Sequence, residues 1–127
     1  MKKIIKLILL VSLVVIAQTY FGHQVAKATW TYDDVEPTKS WVITFSKPID
    51  EDSISKDTIY VTNGKGQKID VEILLQTPSM VVVEAPKTGY ENGQVYKLVV
   101  ENTLESTDGQ RLNASEEMIF TIKKTSI

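Results

Sequence analysis

Apolar and polar residues alternate in short runs along most of the chain after residue 28. In the run 40–46, Trp41, Ile43 and Phe45 fall on one face of an extended strand and are predicted to fill a core. The other runs are 58–62, 68–76, 80–85, 95–100 and 118–122, with a weaker one at 29–32. These runs are rich in β-branched residues and predict six strands and a weaker seventh, without a long helix.

Turn-forming residues separate the runs. The sequence N-G-K-G at 63–66 places Gly64 and Gly66 where positive φ angles are needed and predicts a hairpin between the second and third runs. A helical turn is predicted only at 50–55, where Asp50 can act as the N-cap. Seven short strands punctuated in this way predict an all-β, seven-stranded antiparallel sandwich.

The first 28 residues follow a different pattern. Three lysines within the first six residues precede an apolar run from Leu7 to Ala17, and small residues flank Lys27 in the A-K-A that ends at Ala28. This order predicts a secretory signal peptide, 1–28, cleaved before Thr29, and one domain over 29–127. A permanent membrane anchor is disfavoured because the apolar run is shorter than the ~20 residues that span a bilayer.

Charge is distributed unevenly between these two parts. All sixteen acidic residues but only ten of the fourteen basic residues follow residue 28, which gives the predicted domain a net charge of −6. This sign argues against nucleic acid as a partner. Contact with a membrane is expected only through the signal peptide, before cleavage.

The predicted domain contains few of the residue types that catalysis and transition metals require. The chain has no cysteine, so a lipid-modified cysteine cannot anchor it, and its single histidine is His23. The usual pairs of a serine, threonine or cysteine nucleophile with a histidine base are therefore absent after residue 28, and no motif supports a Ser-Lys pair. Met80 and Met118 lie in apolar runs and are interpreted as core. We expect no enzyme activity and no cofactor.

Carboxylates around the predicted helical turn are the one candidate for a metal site. Asp50, Asp52 and Asp57 are close in sequence, and hard cations such as calcium prefer several carboxylates. Their spacing does not match a calcium-binding loop, and Asp50 has a structural role as the predicted cap. They are weak candidates only, and we expect no bound metal.

Three segments carry a family resemblance. W-V-I-T-F-S-K-P-I-D-E-D-S-I at 41–54, Y-E-N-G-Q-V-Y-K-L-V-V at 90–100 and D-G-Q-R-L at 108–112 occur in this order. Together they resemble the bacterial Ig-like domain of the S-layer-protein type, the SbsA-like Ig domain, over about residues 38–122. The resemblance implies an Ig-like Greek-key sandwich.

Several aromatic residues are interpreted as structural. Gly93 followed by Tyr96 resembles a tyrosine corner, in which the hydroxyl group bonds to the backbone of the preceding loop. The alternative is that Tyr96 is only a core aromatic residue. Trp30 and Tyr32 are expected to cover the open end of the sandwich, and exposure for a partner is the alternative.

The function expected from this resemblance is contact rather than chemistry. Domains of this family serve as spacers, connectors or binding modules in secreted and cell-surface proteins. We expect an exported, non-enzymatic Ig-like module that contacts an unidentified protein or cell-wall component, either secreted or held at the cell surface. The alternatives are a small exported calcium-binding protein and a secreted inhibitor of a foreign enzyme.

Overall fold

The computed structural model describes residues 4–8, 29–112 and 114–125, which form two β-sheets around one core. The strands are β1 (Ile4–Ile8), β2 (Thr29–Val35), β3 (Ser40–Thr44), β4 (Ile59–Thr62), β5 (Lys68–Ile69), β6 (Ile73–Thr77), β7 (Met80–Val83), β8 (Val95–Val100) and β9 (Glu116–Ile122). One sheet has the order β1-β3-β7-β6, and the other has the order β2-β9-β8-β4-β5. The predicted all-β sandwich is confirmed.

The predicted strand number is wrong by one. After residue 28 the described chain has eight strands, because the single run predicted at 68–76 is divided between the two sheets. Ile69 in β5 pairs with β4, whereas Ile73 in β6 pairs with β7. The chain therefore changes sheets across residues 70–72.

The prediction of a wholly antiparallel sandwich is also wrong. β2 runs parallel to β9, with Trp30 opposite Met118 and Tyr32 opposite Phe120. These are the first and last strands after residue 28, so no hairpin between them imposes an antiparallel direction. β1 also runs parallel to its neighbour, β3.

The core is formed by alternate residues of both sheets. Trp41 and Ile43 of β3 and Phe120 of β9 are fully buried, and Phe45 is buried beyond the end of β3. Ile69, Val71, Ile73 and Leu75 are partly buried against the same core. These four side chains therefore pack against the same core, although the chain changes from one sheet to the other between Ile69 and Ile73.

Both local predictions between β3 and β6 are confirmed. A 3-10 turn covers Glu51–Ser53, and β4 and β5 form the expected hairpin, with Val61 opposite Ile69. Only one of its two glycines has the predicted conformation: Gly66 has a positive φ of 77°, whereas the φ of Gly64 is not positive.

The N-terminal region is described only in part. β1 lies inside the predicted signal peptide, but the A-K-A that ends at Ala28 lies outside the described residues. No helix in the described ranges has both the length and the apolar character needed to cross a membrane.

Candidate interaction surface

Two of the three acidic residues named as weak calcium candidates have other partners. Asp50 Oδ1 accepts a hydrogen bond from the backbone N of Asp52 at 3.0 Å, the arrangement of a helix N-cap. Asp57 Oδ1 lies 3.0 Å from Lys68 Nζ and forms an ion pair. Within the described residues, no group of three or more acidic, histidine or cysteine side chains is arranged to hold a metal.

A polar network occupies the outer face of the five-stranded sheet. Tyr60 Oη donates to Glu101 Oε2 at 2.5 Å, and Ser115 Oγ donates to Glu101 Oε1 at 2.5 Å. Lys68 Nζ lies 4.4 Å from the centre of the Tyr60 ring. Burial, followed by the hydrogen bond to Glu101, raises the pKa of Tyr60 to about 12. The phenol therefore stays neutral near neutral pH and is not poised as a base.

Aromatic side chains from both sheets and from the segment before β8 form one continuous cluster in the core. The ring centroids of Trp41 and Phe120 are 5.2 Å apart, and those of Tyr90 and Phe120 are 5.1 Å apart. Tyr32 extends the cluster to β2, with its ring 5.5 Å from that of Trp41. Trp30 is also partly buried against the core. Both N-terminal aromatics therefore contribute to covering the sandwich.

Tyr96 has the geometry of a tyrosine corner. Its Oη accepts a hydrogen bond from the backbone N of Glu91 at 2.9 Å, and its ring is buried. Gly93 has φ 73°, and a Cβ there would lie 3.0 Å from Lys124 Cγ. Glycine thus suits both the turn and the space before β8.

A salt-bridged cluster joins the segment after β3 to the segment between β8 and β9. Lys47 Nζ donates to Asp108 Oδ2 at 2.8 Å and also to Gln110, while Ser106 Oγ donates to Asp108. The hydrogen bond from Lys47, followed by the one from Ser106, lowers the pKa of Asp108 to about 2. The cavity beneath, lined in part by Ile49 and the Lys47 stem, is only about 10 Å³. That volume holds at most one water and not an organic ligand.

Three strand edges carry features that discourage pairing with another chain. β5 has only two residues, one of which is Lys68. The register of β6 shifts between Leu75 and Thr77, and that of β2 shifts between Tyr32 and Val35. The β2 shift contains the exposed, negatively charged Asp33 and Asp34. Short length, charge and bulges are the usual protections of edge strands.

β3 carries none of these protections. Its sequence, S-W-V-I-T, has no charged residue and no proline, and it pairs with β7 without a register shift. Trp41, Val42 and Ile43 are each at most 1% exposed. A continuous apolar run of this kind is typical of a strand with neighbours on both sides. In the full chain, the second neighbour is β1.

An apolar row also crosses the outer face of this sheet, from β3 through β7 to β6. Val42 lies opposite Val82, and Val82 lies opposite Leu74. Exposure rises along the row from 1% at Val42 to 8% at Val82 and 44% at Leu74. The side of β3 that pairs with β1, together with this row, is the candidate interaction surface. Sequence reasoning did not find it, although the uninterrupted W-V-I was a signal.

Comparison with known proteins identifies the class of this domain. The family model described as bacterial Ig-like domain matches residues 26–122, so the chain belongs to that family. The resemblance to Ig-like domains of the S-layer type is confirmed. Comparison with curated protein sequences gives no match.

Solved structures show the same fold in longer and in similar-sized chains. The N-terminal part of the bacterial S-layer protein SbsC is 21% identical, with a TM-score of 0.51 over 74% of this chain and 23% of that chain. CopC from Methylosinus trichosporium OB3b is 16% identical, with a TM-score of 0.55 over 76% of this chain and 87% of that chain. The chain thus spans less than a quarter of that S-layer chain. At these identities the likeness concerns the fold alone.

Proposed function

We propose that this chain is exported by a signal peptide cleaved between Ala28 and Thr29. The released domain is then a non-enzymatic Ig-like module that acts by contact with a protein or cell-wall component at or outside the cell surface. The observation that carries the proposal is the bacterial Ig-like match over residues 26–122. It begins beside the predicted cleavage site, after a segment with the charge and apolar pattern of a leader.

The described surface supports contact rather than catalysis. The cavity of about 10 Å³ under the Lys47 cluster is too small for an organic substrate. Two larger open depressions, of about 540 Å³ at residues 70–72 and 85–88 and about 290 Å³ at residues 62–64, 66, 95–97 and 119, are lined by no histidine or cysteine. The unprotected β3 edge is, in contrast, a feature suited to a macromolecular partner.

Affinity capture tests this function. The processed protein, carrying a C-terminal tag, is incubated separately with culture supernatant and with a cell-wall extract of the producing bacterium. We expect one component to be retained reproducibly and to be released by competition with untagged protein. Retention of nothing from either fraction, together with saturable calcium binding by calorimetry, would replace contact by ion binding.

A further inference from the structure

We propose that the edge of β3 is a strand-acceptor site. After removal of residues 1–28, it binds an extended apolar segment of a partner polypeptide, which pairs parallel to Ser40–Thr44 in the place that β1 takes in the full chain. This inference rests on the export and cleavage proposed above, and it identifies the kind of partner that the module contacts.

The full chain already shows a strand seated at this edge. β1 pairs with all five residues of β3, from Ile4 opposite Ser40 to Ile8 opposite Thr44, without a register shift. The edge therefore has the straightness and length to accept a parallel strand. Cleavage after Ala28 takes away this strand and leaves the backbone N–H and C=O groups on that side of β3 without a strand partner.

The other edges make β3 the preferred acceptor. Strand addition at β2 or β6 would meet a register shift, and β5 offers only two residues beside Lys68. β3 offers five regular residues with no charge. Its far side is fixed by the antiparallel ladder to β7, so the acceptor backbone is held in place before a partner arrives.

The register defines the chemistry of the partner segment. Two of its residues, spaced two apart, would lie opposite Trp41 and Ile43, which face the core and are fully buried. Ile5 and Leu7 hold these positions in β1. The position between them lies opposite Val42, and its residue in β1 is Lys6. The partner segment is thus extended, with apolar residues at alternating positions.

The test uses processed protein purified from the medium of cells that produce the full chain, with its N-terminus established by intact mass. The probe is a fluorescent peptide of residues 2–8, K-K-I-I-K-L-I. The control peptide has proline at both Ile5 and Lys6, which removes a backbone donor on either side of the strand. We expect the first peptide to bind at least tenfold more tightly than the control.

Cross-linking then fixes the position and direction of the bound strand. Because the chain has no cysteine, an introduced pair reports unambiguously. Thr44→Cys in the protein should form a disulfide with a peptide carrying Ile8→Cys, since paired strands lie about 4.8 Å apart and disulfides span similar distances. A peptide carrying Ile4→Cys should give at least tenfold less product. Thr77→Cys, on the opposite edge of the sheet, is the matched control and should give little product with either peptide.

Each contrary outcome has its own meaning. Equal binding of the two peptides, or equal cross-linking at Thr44 and Thr77, would overturn the acceptor site while leaving export intact. Stronger cross-linking with Ile4→Cys would mean antiparallel binding and would overturn the proposed geometry. A dimer that the peptide cannot dissociate would assign the edge to a second copy. Absence of any protein cleaved after Ala28 would overturn both the proposed export and the acceptor site, because β1 would then stay on β3.

Discussion

At the scale of single residues, two neighbouring tyrosines differ in what their hydroxyl groups do. The rings of Tyr90 and Tyr96 are 4.8 Å apart, and both pack against Phe120. Tyr96 Oη accepts from the backbone N of Glu91, whereas Tyr90 Oη is buried with no hydrogen-bond partner among the described residues. Burial raises the pKa of Tyr90 above its usual value. Among the described residues, therefore, the hydroxyl of Tyr96 bonds to a loop, whereas that of Tyr90 bonds to no residue.

This contrast gives a matched pair of variants. Tyr96→Phe should lower the free energy of unfolding by about 1 kcal/mol, the scale of one lost intramolecular hydrogen bond. Tyr90→Phe should leave it unchanged or raise it, because the hydroxyl removed has no described partner. Urea unfolding measures both. An equal loss in the two variants would mean that the Glu91 hydrogen bond does not stabilise the domain.

The two glycines of the β4–β5 hairpin give a second pair. Gly66 has φ 77°, a conformation that costs an L-residue about 1–2 kcal/mol, and a Cβ there would meet no atom within 4 Å. Gly66→Ala should therefore destabilise through backbone strain alone, by about 1 kcal/mol. At Gly64 the nearest atom to a Cβ would be Val95 O at 3.8 Å, so Gly64→Ala should be tolerated. Thermal melts that rank the two variants in the opposite order would show that the turn has another conformation.

At the scale of elements, the sequence predicted strands better than it predicted their partners. Apolar alternation through Ile69, Val71, Ile73 and Leu75 correctly indicated one core-facing side, because both sheets bury the side that faces the same core. The change of sheet at 70–72 leaves that alternation intact. The sheet that each part of the run joins is decided by its hydrogen bonds, to β4 for one part and to β7 for the other. The alternation of apolar and polar residues does not encode that choice.

The same limit applies to the interaction surface. The run W-V-I at 41–43 has the continuous apolar character of a doubly flanked strand, and that much was readable. β3 would lie at the edge of its sheet once residues 1–28 are removed. This follows from the strand order β1-β3-β7-β6, which only the tertiary structure supplies. The protections of the other edges at Tyr32–Val35 and Leu75–Thr77 are register shifts, and these too became visible only once strands were paired.

The division of the 68–76 run predicts a gradient of local stability across the five-stranded sheet. β5 pairs with β4 at only two positions, whereas β8 pairs with β9 at six. The amides of Lys68 and Ile69 should exchange with deuterium through local opening, and those of Leu98 and Val100 only through global unfolding. Native-state hydrogen exchange measures this difference. Equal protection of β5 and β8 would mean that the 68–76 run is one continuous strand of that sheet.

At the scale of the whole molecule, the part of the chain after residue 28 has a net charge of −6, and several of its acidic residues interact with other groups of the chain. Asp50 caps the 3-10 turn, Asp57 pairs with Lys68, and Asp108 pairs with Lys47. We therefore expect the same melting temperature in millimolar calcium and in chelator, with sodium chloride matching the ionic strength. A ligand that binds only the folded state would raise it. A calcium-specific rise abolished by Asp50→Ala with Asp52→Ala would establish an ion site.

The central claim is that the Ig-like domain is released from its leader and works outside the cell. Intact-mass analysis and N-terminal sequencing of the protein in the culture medium of a producing bacterium test it most directly. The matched control is Ala28→Arg, because a large charged residue does not fit the small-residue pattern of a cleavage site. We expect the natural chain to appear in the medium beginning at Thr29, and the Ala28→Arg chain to remain uncleaved at that bond. A natural chain found only with the cells, still carrying residues 1–28, would contradict this account.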